Sequence, residues 1–231
     1  MADKARAAQQ VGFSTLVDIV LVIDGTGSMQ NLLDAVKESA LSFHDKVVAG
    51  LAEKRRRVDR LRLKVIVYRD IYVDANAFEE SDFFDLPEDA AAFRHFVENV
   101  KAQGGGDEPE SGLEALWRAF RLPFQPNESR KKARQIICLM TDASAHPLDD
   151  LQRSVDPEYP KNAPKNLNEL QDAWEGMDHT ARRLLIFAPM ASPWPELQNW
   201  SEVLFTPSVS GMVGINADTY EGILAMIRGS I

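Results

Sequence analysis

Val17-Asp18-Ile19-Val20-Leu21-Val22-Ile23-Asp24-Gly25-Thr26-Gly27-Ser28-Met29 decides the fold. Its first seven residues are apolar except for Asp18 and are mostly β-branched, as in a strand buried on both faces of a parallel sheet. The strand runs straight into Asp24, two glycines and two hydroxyls, and a long helical pattern follows. Open α/β sheets place their ligands at the C-terminal ends of central strands, where this turn falls. The glycines let the loop curl tightly, so Asp24, Thr26 and Ser28 can turn toward one point. Three hard oxygen donors converging on a point suit a hard cation, Mg²⁺ or Mn²⁺.

Outward from this stretch, Met29, Leu32, Leu33, Val36, Ala40, Phe43 and Val47 recur at helical spacing, which predicts a helix from Ser28 to about Ala52. Ser28 is either its N-cap or a metal donor. Leu61 to Tyr68 reads as the second strand, ending in Arg69-Asp70, and the segment around Phe83-Phe84 as a short edge strand before Pro87. A helix from Glu88 presents Phe93, Phe96, Val97 and Val100 on one face. The loop Gly104-Gly105-Gly106-Asp107-Glu108-Pro109-Glu110 then turns into a helix carrying Leu113, Leu116, Trp117 and Phe120, with Pro109 fitting its first turn. Gln135 to Met140 is another buried strand, followed by Thr141-Asp142. The stretch from His146 to Asn166 holds four prolines and is too long for an ordinary connection. It leaves the same end of the sheet as Asp142 and is expected to lie beside the site, either to select a partner or as a passive connection. A helix through Leu167 and Trp174, strands at 183–188 and 203–205, a short helix at 196–200 and a closing helix through Tyr220 and Ile227 complete the chain. Strands alternating with helices predict an α/β fold with a doubly wound, mostly parallel sheet, helices on both faces and one antiparallel edge strand. Residues 1–14 read as an extension and 15–231 as one domain.

Composition narrows the function. A chain of 231 residues, 45% hydrophobic, supports one sizeable core. The net charge of −9 argues against nucleic acid as a partner, because phosphate binding needs a basic face. The one basic run, Lys54 to Arg57, reads as a solvated helix end. The single cysteine, Cys138, sits inside a strand pattern and reads as a buried, inert thiol. No apolar run approaches the roughly 20 residues of a membrane helix, and Met1 to Gln10 has no signal-peptide character. The expectation is a cytoplasmic protein with no membrane partner. The four histidines show no metal spacing.

Asp24, Thr26 and Ser28 after the first strand, Asp107 in the glycine-rich loop and Asp142 after the buried strand at 135–140 together resemble a von Willebrand factor type A domain and its metal-ion-dependent adhesion site. The family pattern is Asp-x-Ser/Thr-x-Ser, a Thr or Asp in a second loop, and a later Asp. Tyr68-Arg69-Asp70 and the Gly-Gly-Gly-Asp-Glu-Pro-Glu form are more similar to intracellular bacterial and alpha-kinase-associated members than to integrin domains. The resemblance spans residues 15 to 229. It implies a Rossmann-like fold with Thr26 and Ser28 as hydroxyl ligands and Asp24 and Asp142 holding waters and orienting those hydroxyls. It also implies a non-enzymatic adaptor whose partner protein completes the cation with a carboxylate. Gly25, Gly106, Glu108 and His146 border that point and are candidate partner contacts. Asp107 stands where integrins have Thr, and a direct carboxylate there would weaken the pull on a partner. It can equally cap the following helix. Glu108, Glu110 and Asp70 read as surface or ion-pair residues and not as metal ligands.

Two other classes stand beside this one. Asp24-x-Thr-Gly-Ser also resembles the phosphorylated loop of haloacid-dehalogenase-like phosphotransferases, with Asp24 as nucleophile. The later Lys and paired acids of that group are missing. A metal-free structural subunit of a larger assembly is the third.

Overall fold

The computed structural model describes residues 14–52, 57–105, 108–150, 159–208 and 217–231. The run Lys54 to Arg56, Gly106 and Asp107 lie outside them. Strands β1 (Ser14–Asp24), β2 (Arg57–Tyr68), β3 (Phe78–Glu80), β4 (Phe84–Leu86), β5 (Lys131–Met140), β6 (Arg182–Ala188) and β7 (Val203–Pro207) form one sheet in the order β3-β2-β1-β5-β6-β7, with β4 also on β2. β1, β2, β5, β6 and β7 run parallel. The antiparallel edge is made of two three-residue segments placed one after the other along β2. Between them Ser81 bridges the gap: its N–H donates to the Val65 carbonyl (3.0 Å) and its hydroxyl accepts from the Val65 N–H (2.9 Å).

Helices α1 (Gln30–Ser39), α2 (Phe43–Ala52), α3 (Ala90–Asn99), α4 (Gly112–Phe120), α5 (Leu167–Glu175), α6 (Trp194–Leu197) and α7 (Ala217–Ser230) cover the sheet. Alternation along β1 separates two cores. Val17, Ile19, Leu21 and Ile23 join residues of α1, α2, α3 and α7, while Val20 and Val22 join Leu113, Leu116, Trp174 and Trp194. The tryptophans are packing residues, as their spacing implies.

Three details differ from the sequence expectation, and the surroundings of Asp18 add a fourth feature. The first helix is broken by a 3₁₀ turn, Ala40–Ser42. Ser39 lies just before it, with its hydroxyl donating back to the Ala35 carbonyl (2.9 Å), a bond that loosens and bends a helix. β2 and β5 begin earlier than their apolar runs, since Arg57, Asp59, Arg60 and Lys132 are exposed there and carry no hydrophobic signal. Pro109 is not in the first turn of α4. The helix starts at Gly112, and Pro109 follows a cis peptide bond three residues upstream. Asp18, the one charge in the opening strand, is wholly buried. It accepts two bonds from Arg62 (both 2.8 Å) and two from the backbone and side chain of Gln125 (both 2.6 Å), so its charge is matched.

The chain leaves β1 through helices on one face and reaches β2, then leaves β5 through α5 on the other face and reaches β6. The winding therefore reverses between β1 and β5, and a crevice opens at the carboxyl ends of those two strands.

Candidate metal centre

The crevice is lined by the loops that follow β1 and β5. Asp24, the last residue of β1, is fully buried. One of its oxygens, Oδ1, accepts from the backbone N–H of Thr26 (2.9 Å) and from the Thr26 hydroxyl (2.6 Å). The other, Oδ2, accepts from the Thr141 hydroxyl (2.6 Å). Ser28 donates its hydroxyl to Asp142 Oδ1 (2.8 Å) across 114 residues of sequence. Ser28 is thus no N-cap, and neither the 3₁₀ turn Gly27–Met29 nor α1 has a side-chain cap. Four of the five proposed metal residues come together in a chain of two hydrogen-bonded pairs set side by side, Thr26 on Asp24 and Ser28 on Asp142.

That chain fits a hard cation. The Thr26 and Ser28 oxygens are 3.3 Å apart. Adjacent ligands of an octahedral Mg²⁺ with bonds of about 2.1 Å stand about 3 Å apart. Each hydroxyl gives its proton to a carboxylate, which leaves its lone pairs to face outward together. Among the described residues no three His, Cys, Asp or Glu side chains gather at metal-binding range, so a cation there would depend on these hydroxyls.

The electrostatics point the same way. Burial pushes the Asp24 carboxyl up to about 6, although hydrogen bonds from Thr141 and Thr26 pull it down and nearby Asp142 adds to the rise. Asp142 is raised as well, by burial first, with Ser28 opposing and Glu108 adding. Burial itself penalises any charge, so only the smaller mutual repulsion of the carboxylates favours a cation here.

The remaining candidates divide. Gly25 is buried in the turn, donating to the Tyr68 carbonyl (2.7 Å) and accepting from Gln103 (3.0 Å). A Cβ there would lie 2.5 Å from Val67, so the close approach requires glycine. Glu108 accepts from the Ser144 hydroxyl (3.0 Å) and backbone (3.3 Å), tying its loop to the Asp142 loop. His146 is not a free loop residue. Its Nε2 is 3.1 Å from Asp70 Oδ1, and its ring stands edge-on to Tyr72. Of the 146–166 segment, residues 151–158 lie outside the described residues. Leu148, Tyr159 and Ala163 are buried in the α4–α5 core, so the described parts of this segment are packed structure.

Asp70 and Glu110 are buried rather than surface residues. Burial drives Glu110 up to about 8, and Asp24, Asp70, Asp74 and Asp142 reinforce the shift. Sequence reasoning also passed over Thr141 and Arg69. With Ile23 paired to Met140, the next position sets Thr141 opposite Asp24, a signal that appears only once the register is known. Arg69 lies buried at the end of β2 and donates to the carbonyls of Gln103 (2.9 Å), Lys101 (2.8 Å) and Asn76 (3.2 Å).

Comparison with known proteins agrees with this fold. The von Willebrand factor type A domain model matches residues 18–168. The alpha-protein kinase vwkA of Dictyostelium discoideum is 25% identical over 154 residues, covering 67% of this chain and 22% of the kinase. The chain therefore spans under a quarter of that relative. Among solved structures, a von Willebrand factor type A protein from Catenulispora acidiphila aligns at TM-score 0.52 and 18% identity, over 94% of this chain and 43% of the other. The pilus adhesin SpaC of Lactobacillus rhamnosus GG aligns at 0.55 and 13% identity, over 93% and 30%. At such identities the two structures speak for the fold alone.

Proposed function

Because the chain belongs to the von Willebrand factor type A domain family, a family of protein-interaction and adhesion modules, we propose that it is a non-enzymatic adaptor. It engages a partner protein at a divalent-cation site built by Asp24, Thr26, Ser28 and Asp142. The observation that carries the reading is the pair of hydroxyls 3.3 Å apart, each with its proton committed to a buried carboxylate. Mg²⁺ or Mn²⁺ bound there would supply an electrophilic centre for a partner's carboxylate, because the Thr26 and Ser28 hydroxyls are neutral ligands. The chain's own contribution is orientation. Asp24 holds Thr26, Asp142 holds Ser28, and Thr141 fixes Asp24 from behind. Asp107 belongs to the proposed set by its place in the motif. Gly25, Gly106, Glu108 and His146 are the proposed surroundings of the partner's carboxylate.

The phosphotransferase alternative meets an obstacle at Asp24. A nucleophile needs a free, accessible oxygen, whereas both Asp24 oxygens are occupied and the residue is fully buried. Among the described residues no helix is long and apolar enough to cross a membrane. A cytoplasmic setting belongs to the same proposal.

Calorimetric titration with Mn²⁺ tests the site. Wild type should bind one ion, and Asp24→Ala should lose binding while keeping a cooperative unfolding transition. Equal affinity in the two proteins refutes the assignment. Capture of a partner should also cease when the cation is chelated.

A further inference from the structure

A cavity of about 620 Å³ opens beside the crevice, between the loop after β5, the start of α5 and α6. That volume falls within the range of about 300–1,000 Å³ usual for ligand sites. Leu113, Ala145 and Leu148 line it from the buried core, and Pro109, Leu167 and Pro193 surround them. Its walls are held in place. Trp194 Nε1–H donates to the Ala143 carbonyl (2.8 Å), which ties α6 to the loop after β5. The Glu110 N–H donates to the Ser144 carbonyl (3.0 Å) and the His146 N–H to the Glu110 carbonyl (3.0 Å), which ties the same loop to the chain entering α4. Ser144 faces both sites: it lines the cavity, and its hydroxyl donates to Glu108, two residues beyond Asp142.

The border of the cavity is acidic. Asp149 and Glu196 are exposed among its lining residues, and no Lys, Arg or His lines it. Among the described residues neither carboxylate has a cationic partner, and Glu196 receives only a long hydrogen bond from the Ser192 hydroxyl (3.3 Å). The N-terminus of α5, elsewhere a place for an anion, is already met by side chains of its own segment. Asn166 Oδ1 accepts from the Glu169 N–H (2.9 Å), and the Glu169 carboxylate accepts from the Lys165 N–H (2.8 Å). No aromatic ring lines the cavity, so it lacks the stacking surface on which proline-rich segments dock. Apolar walls with two unmatched carboxylates at the border complement an apolar side chain that stands next to a cation.

We propose that this cavity docks an extended peptide segment of a partner protein in which an aliphatic side chain stands beside Lys or Arg. The aliphatic group enters between Leu113, Leu148 and Leu167, and the cation meets Asp149 and Glu196. The inference rests on the adaptor reading above and names the partner's chemistry beyond a carboxylate. The Asp142 and Ser144 backbones are at most about 7 Å apart along the chain, and an extended peptide advances about 3.3 Å per residue. The acidic residue that meets the cation site therefore stands roughly two to four positions from the aliphatic one.

The test selects binders from a random phage-displayed heptapeptide library on the full chain with Mn²⁺ present. The enriched sequences are then synthesised with fluorescein and titrated by anisotropy. They should carry Leu, Ile, Val or Met beside Lys or Arg, with Asp or Glu about two to four positions away. Asp149→Asn combined with Glu196→Gln removes both border charges at exposed positions and should weaken these peptides at least fivefold. Calorimetric Mn²⁺ affinity should stay within twofold of wild type. Replacing the peptide's Lys or Arg by Gln should cause a similar loss in wild type and little further loss in the double variant. That comparison separates charge pairing from a structural effect, and the peptide arm alone decides if the double variant does not fold. Enriched sequences without the apolar–basic pair, or unchanged peptide affinity in the double variant, overturn this inference and leave the cation site standing. A library that yields no binder overturns it too, and sedimentation of wild type against the variant then shows whether a second copy fills the cavity. Absence of Mn²⁺ binding in wild type overturns the cation site, whereas peptides that still lose affinity in the double variant uphold the cavity.

Discussion

Replacing Arg69 by methionine isolates the part that fixes the loop before the site. Arg69 is 2% exposed, and its guanidinium bonds the carbonyls of Lys101 and Gln103, two residues of the loop that leads to Gly105. A third bond reaches Asn76 (3.2 Å), and Glu79 sits 2.8 Å away. Methionine fills much of the aliphatic stem and offers no donor. A hydrogen bond to a charged group contributes about 1.5–3 kcal/mol, and less where water can take its place. Lys101 and Gln103 are exposed, so about 1 kcal/mol for each of the three carbonyls is the fitting value, near 3 kcal/mol in all. The half-exposed Glu79 pair adds about 0–1 kcal/mol. For a chain of this size 1 kcal/mol moves Tm by about 2–4 °C, so the expected fall is roughly 6–12 °C. Urea unfolding at constant m measures the free energy, and Mn²⁺ calorimetry should show weaker binding because the Gly105 loop is no longer held. Arg69→Lys, a single point charge, should recover only one of the three bonds. A loss below about 1 kcal/mol in Arg69→Met, with unaltered Mn²⁺ affinity, refutes the view that this guanidinium organises the crevice.

Gly105 has φ +67°, and a methyl group there would strike Glu110 and Thr26. Gly105→Ala should cost about 1–2 kcal/mol from backbone strain alone and weaken Mn²⁺ binding more than Gly27→Ala, where a Cβ meets nothing; equal affinities in the two variants would show that the contact is irrelevant. At the opposite end of the sheet, Arg60 holds the Asp85 carboxyl below its ordinary value through two hydrogen bonds. A depressed folded pKa stabilises above the unfolded value and loses that contribution as pH falls through and below about 4. Asp85→Asn should therefore show a shallower decline of Tm between about pH 4 and pH 2.5, by a small margin because the pair is partly exposed, and a parallel decline would refute the coupling.

The hydrophobic pattern made the architecture readable, because a sheet buried on both faces writes continuous apolar runs into β1, β5 and β6. It fell silent where strands emerge into solvent, at Arg57 to Arg60 and at Lys132. It also missed the break after Ser39, which depends on one hydroxyl turning back to a carbonyl. Asp24, Thr26, Ser28 and Asp142 were legible because strand ends and spacing place them. Glu110 and Asp70 were not. The string Asp-Glu-Pro-Glu does not say which carboxylate points inward, and that choice is made by the bridge from Glu110 to the Ser144–His146 backbone. Nothing in the sequence marked Arg69 as an organiser of the crevice, because two of its three carbonyl acceptors belong to a loop more than 30 residues away.

The reversal of winding between β1 and β5 also has a kinetic meaning. The two bonds that close the crevice, Ser28 to Asp142 and Thr141 to Asp24, join residues 114 and 117 positions apart. Contacts of such separation wait for the intervening chain to be ordered, so the crevice forms late in folding. During synthesis no binding centre exists until β5 has emerged and paired with β1. A ligand that recognises only the closed crevice stabilises the native state by RT ln(1 + [L]/Kd). A ligand of this crevice would thus bind the completed fold and not its precursors.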